Sequence, residues 1–133
     1  MMLLEDLRHY CLSKPFTTEE LPFDEVTLVY KVMGKMFALA ATDEWGYINL
    51  KCDPDEALER RAAYESVQPG YHMNKKHWIT VPLDGSVPQR TVLEWIDDSF
   101  DLVVASLPKA KRSEVASMLE RNPTLEEKKI LDK

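Results

Sequence analysis

Val26-Thr27-Leu28-Val29-Tyr30-Lys31-Val32-Met33-Gly34-Lys35-Met36-Phe37-Ala38-Leu39-Ala40-Ala41 reads as two apolar strands joined by a tight two-residue turn at Gly34-Lys35. Working outward, Gly46 to Cys52 alternates again and predicts a third strand. It runs directly into Asp53-Pro54, a helix cap followed by proline at the first helical position, so a helix is expected over 55–64. On the other side, residues 2–12 space Leu3, Leu4, Leu7, Tyr10 and Cys11 as an amphipathic helix that stops before Lys14-Pro15. Phe16 to Glu25 is expected to be a loop, in which Thr17-Thr18-Glu19-Glu20 starts a brief helical turn that Pro22 ends.

After Gln68-Pro69-Gly70 a second hairpin is expected, and Asp84 or Ser86 is placed to cap a long helix over 88–106. Val92, Leu93, Ile96, Phe100, Val103, Val104 and Leu107 would form its apolar face, with Asp97, Asp98 and Asp101 on a solvated one. Pro108 should break this helix, with Lys109, Lys111 and Arg112 just past its end. A shorter helix over 113–121 would follow, then a charged tail with a Thr124-x-x-Glu127 capping box. The element order predicts an α+β fold of two layers, one antiparallel sheet with helices on one face and the other face partly wet. The domain is drawn over 1–112, with 113–133 as a helical, charged extension.

At 133 residues the chain is long enough to bury a core without metal or disulfide, and its 44% hydrophobic and 30% charged content is ordinary for a globular protein. No apolar run approaches the roughly 20 residues of a membrane span. Glu5 and Asp6 directly follow Met1-Met2-Leu3-Leu4, unlike a secretory leader, so a cytoplasmic location without membrane contact is expected. Cys11 and Cys52 show no metal or redox spacing and are read as free thiols. Neither a Gly-x-Ser-x-Gly frame nor a glycine-rich phosphate loop is present, so no enzyme and no cofactor are expected.

The formal net charge is −6, yet residues 1–74 carry 7 basic against 13 acidic side chains, whereas residues 75–112 carry 6 against 5. A polyanion would therefore have to be met by a local basic patch. The candidate is the second hairpin, Gly70-Tyr71-His72-Met73-Asn74-Lys75-Lys76-His77-Trp78. Lys75, Lys76 and His77 would face phosphates, Tyr71 or Trp78 would stack on a base or pack beneath, and His72 would shape the tip. Lys109, Lys111 and Arg112 would join them if the long helix ends nearby. The opposing readings are a solvated turn whose lysines guard a sheet edge, Trp78 as core, and cations that merely offset a helix dipole. A metal pair of His72 and His77 lacks a third ligand, so no metal is expected.

Val32-x-Gly34-Lys35-Met36-Phe37-Ala38, Ile48-Asn49-Leu50-Lys51-Cys52-Asp53-Pro54, residues 69–78 and Ser99-Phe100-Asp101-Leu102-Val103-Val104-Ala105-Ser106-Leu107-Pro108 together resemble the MmcQ/YjbR family of small bacterial proteins. The likeness spans residues 1–112. It implies a CyaY-like, or frataxin-like, fold and DNA binding through a "double wing" of two hairpins. Phe100 stands where the family commonly has Tyr, and Asp24 where a Pro-Phe-Gly turn is frequent. The expected function is a monomeric, non-enzymatic protein that holds DNA, duplex in the first instance, weakly and without sequence discrimination. The alternative is a protein-interaction or small-ligand module with an unidentified partner and no nucleic acid.

Overall fold

The structure, a computed structural model, describes residues 2–43, 46–70 and 74–121. Helix α1 (Leu4–Leu12) leads into strand β1 (Thr17–Glu20), then β2 (Thr27–Val32), β3 (Lys35–Ala41) and β4 (Tyr47–Lys51). Helix α2 (Pro54–Ala63), strands β5 (Gln68–Pro69) and β6 (Trp78–Pro82), and helices α3 (Gln89–Ala105) and α4 (Lys109–Arg121) follow. The six strands form one antiparallel sheet in the order β1-β2-β3-β4-β6-β5. The α+β class expected from the alternation of patterns is therefore present.

One face of the sheet carries the main core. Leu28, Tyr30, Val32, Ile48, Leu50, Ile79 and Val81 pack with Leu7 and Tyr10 of α1, Ala57 of α2, Ile96, Phe100 and Val103 of α3, and Val115 of α4. Burying a side chain of this size stabilises by about 1.5–3 kcal/mol. The opposite face is not simply wet, because Val29, Leu39 and Trp78 form a small buried cluster there, with Met36 against it.

Several expectations are corrected. Thr17–Glu20 is an edge strand rather than a loop with a helical turn, paired in register with Val29–Val32. Pairing overrides the local capping signal because it points Glu19 to the helical side, where it accepts from Arg8 Nε at 2.9 Å and from Tyr30 Oη at 2.8 Å. The first hairpin turns at Met33-Gly34, one residue earlier than expected. Both residues have positive φ, 51° and 85°, as a type I′ turn requires.

Asp53 occupies the N-cap position of α2 but makes no side-chain cap bond. Helix α3 is capped by Pro88, whose carbonyl accepts Val92 N, and neither Asp84 nor Ser86 does so. Instead Asp84 accepts the Ser86 amide, and the Ser86 hydroxyl meets Ser66 Oγ at 2.8 Å. Helix α4 starts at Lys109, not Ser113, because Pro108 accepts Arg112 N and opens the helix rather than only ending its predecessor. It runs without a break through 112–113, with Val115 buried in the core.

Asp98 and Asp101 are exposed, as expected of a solvated face, whereas Asp97 is half-buried and paired, and Asp98 is paired as well. Asp97 accepts from Tyr10 Oη at 2.7 Å and from Lys14 Nζ at 2.5 Å, and Lys14 is buried over the Tyr10 and Phe100 rings. Asp98 accepts from Arg60 at 2.7 Å while the Arg60 guanidinium lies over Trp95. These pairs tie α3 to α1 and α2. Phe100 is buried and meets Phe37 edge to face at 5.3 Å, an all-carbon contact that needs no hydroxyl. Asp24 accepts the amides of Val26 and Thr27, which a glycine could not do, and those bonds hold its carboxyl below the ordinary value.

Candidate nucleic-acid interface

In an antiparallel sheet the end of one strand lies beside the start of the next, so the register fixes which turns share an end. Val32 faces Lys35, Ala38 faces Leu50, and Lys51 faces Trp78. The Met33-Gly34 turn, the end of β4, Gly70 and the 74–77 turn therefore lie at one end of the sheet. Phe16 lies there too, since its carbonyl accepts Met33 N at 3.2 Å and the next residue, Thr17, pairs with Val32.

This end is held by a bulge and a serine. Between Tyr30 and Lys31 the β2–β3 register shifts, leaving Phe37 as the extra residue, and its ring turns into the core. The β3–β4 pairing stops at Ala38 and Leu50. Beyond it, the fully buried Ser99 of α3 donates to Phe37 O at 2.6 Å and accepts from Lys51 N at 3.0 Å. One hydroxyl thus fastens the long helix to both central strands. Neither Ser99 nor the buried Lys14 stood out in the sequence, because a lone serine in an apolar helix and a lysine beside a proline are equally common on surfaces.

At the second hairpin, Gly70 N donates to Trp78 O and Cys52 N to His77 O, each at 2.8 Å, which fixes both roots of the tip. Asn74 organises the turn: its side chain accepts Lys76 N, and its carbonyl accepts His77 N and Trp78 N. Lys75, Lys76 and His77 are exposed as expected. Trp78 is 8% exposed and packs with Val29 and Leu39, out of reach of a stacking base, so its role is to support the tip. Tyr71 and His72, which the sequence also placed at this tip, lie outside the described residues, as does the Thr124-x-x-Glu127 tail.

Lys109, Lys111 and Arg112 are exposed in the first turn of α4, where cations oppose the helix dipole rather than offset it. At the same time they follow the C-terminal end of α3 by only a few residues, where a cation offsets the dipole of that helix. Lys35 Nζ reaches Ser106 O and Oγ at 3.4 Å, so the start of α4 borders the same end of the sheet. The two cationic groups do not merge on the helical side. An open groove of about 250 Å³ between α2 and α3 is lined by Asp53, Glu56, Asp98, Asp101, Leu102 and Ala105. Asp53 follows Cys52, which bonds to the tip, and Ala105 precedes Lys109 by one turn, so the carboxylates sit between the basic groups. Among the described residues, Lys35 and the tip lysines Lys75 and Lys76 lie at the same end of the sheet.

Both cysteines are buried, and burial pushes both thiols up from their ordinary value, which keeps them protonated and poor nucleophiles. No described helix is long and apolar enough to cross a membrane.

Comparison with known proteins places this fold. Residues 12–102 match the YjbR family. The chain is 38% identical to YbdF of Escherichia coli O157:H7 over 114 residues, 85% of this chain and 93% of that protein. It is 33% identical to YjbR of Escherichia coli K12 over 112 residues, 84% and 95% of the two chains. The crystal structure of a Deinococcus radiodurans protein with a DUF419 domain superposes with a TM-score of 0.81 at 41% identity, covering 87% of this chain and 89% of that one. The chain belongs to the YjbR family.

Proposed function

We propose that this YjbR-family chain is a monomeric, non-enzymatic cytoplasmic protein that binds DNA through the basic rim at one end of its sheet. In this reading the fold is of the CyaY-like type, and hairpins β2–β3 and β5–β6 are its two wings. The observation that carries it is the exposed Lys75-Lys76-His77 tip, rigidly rooted at the same sheet end as the turn before Lys35. Lys35, Lys75 and Lys76 neutralise phosphates, Lys109, Lys111 and Arg112 extend the footprint past the acidic groove, and His77 donates from the tip. No base-edge reader is required, so binding is weak, salt-sensitive and sequence-tolerant.

Fluorescence anisotropy of a labelled oligonucleotide at about 50 mM salt tests this reading, because nonspecific binding through few phosphates falls steeply above that range. Charge reversal of Lys75 and Lys76 to Glu should abolish the signal. Absence of a complex at tens of micromolar wild-type protein would refute the reading. A protein-interaction module is the second reading, favoured by the four carboxylates of the α2–α3 groove, which repel phosphate but suit a basic protein segment.

A further inference from the structure

Phe16 is not used by the proposed function, and its conformation is unusual. It stands at φ 57°, in the left-handed region where bulky side chains are true outliers. Proline followed by positive φ is the pattern of a type II turn, in which the second central position ordinarily carries glycine. Folding does not reward the choice, because the ring remains 43% exposed. The backbone on either side is fixed: Pro15 precedes it, its carbonyl accepts Met33 N at 3.2 Å, and Thr17 enters the sheet opposite Val32. A strained, rigidly held and exposed aromatic fits a binding residue better than a packing one.

Its location identifies the ligand. Phe16 lies beside the Met33-Gly34 turn, at the β1 margin of the rim that carries Lys35 and then Lys75 and Lys76. From β1 to β6 there are four strand steps, roughly 19 Å at about 4.8 Å per step. That distance spans a short run of several nucleotides, within the reach of a small single-strand site. The rim thus presents an aromatic at one margin and cations across the rest, the combination by which single strands are held: backbone on charge, an unpaired base on a ring. In a duplex the bases are already stacked and Phe16 would find only an edge.

We propose that the rim binds a single-stranded segment of nucleic acid, with Phe16 as the stacking residue. This rests on the nucleic-acid reading of the same rim and narrows it to single strands, in place of the duplex expected from the sequence. Anisotropy with a labelled 12-nucleotide single strand and the matching duplex, using the full chain at about 50 mM salt, provides the test. The single strand should bind tighter. Phe16→Gly should weaken it by about 5- to 100-fold, the equivalent of one stacked base. The same substitution should leave the duplex almost unaffected and keep or raise the melting temperature, because glycine suits this turn. Phe16→Trp should retain single-strand affinity. Equal affinity for the two forms, or an undiminished Phe16→Gly variant, overturns the assignment while leaving phosphate binding by the rim intact. If sedimentation shows self-association that Phe16→Gly removes without touching oligonucleotide affinity, Phe16 serves a protein contact and the proposal falls. Binding of neither oligonucleotide removes the rim reading and this inference together.

Discussion

Ser99→Ala should destabilise the protein far more than the loss of one oxygen atom suggests. Ser99 is fully buried, donates to Phe37 O at 2.6 Å and accepts from Lys51 N at 3.0 Å. Alanine leaves a gap too small for water, so the bulge carbonyl loses its partner, at about 1–3 kcal/mol for a buried polar group. The Lys51 amide is only partly buried and adds about 1 kcal/mol at most. The two groups are mutually complementary and can recover part of this if the strands close on each other, so the net expectation is about 2 kcal/mol. For a domain of this size that is about 6–10 °C in melting temperature. Urea denaturation of both proteins measures it directly, with the midpoint lowered and the slope unchanged. A loss below about 0.5 kcal/mol would refute the view that this hydroxyl fastens α3 to the sheet end.

Two further outcomes follow from the ion pairs. Asp97→Asn strips the buried Lys14 ammonium of its carboxylate and should cost about 3 kcal/mol in urea denaturation, an exposed-surface effect of under 0.5 kcal/mol being the contrary result. At Glu19, burial opposes ionisation, but hydrogen bonds from Arg8 and Tyr30 and the charge of Arg8 outweigh it and hold the carboxyl below its ordinary value. A depressed folded-state pKa contributes stability above the unfolded value near 4.3, and that contribution is lost as pH falls through the folded value. The stability difference between wild type and Glu19→Gln should therefore be constant above about pH 5 and shrink toward pH 3, and a pH-independent difference would contradict it.

Much of the fold was legible because β2 and β3 are apolar runs joined at a glycine turn, β4 alternates cleanly, and the β4–α2 junction is marked by Asp53-Pro54. The unread parts share a cause: long-range partners decide them. Thr17–Glu20 has capping-box chemistry and becomes a strand because Arg8 and Tyr30 await Glu19 across the sheet. Asp97 has the spacing of a wet helix face, and only the position of the buried Lys14 shows otherwise. At the site, the exposed tip lysines were readable from the turn residues around Asn74. The intervening acidic groove was not, since it joins α2 to α3, and Phe16 gave no signal because its interest lies in a backbone angle.

The salt dependence of oligonucleotide affinity tests the central claim most directly, because its slope counts phosphate contacts. For the wild-type chain, log affinity should fall against log salt with a slope near −3 to −4, about three to five contacts. Lys75→Gln with Lys76→Gln should make that slope shallower by about 2. A wild-type slope near zero, or one that the double variant leaves unchanged, would contradict the assignment of phosphate binding to this rim.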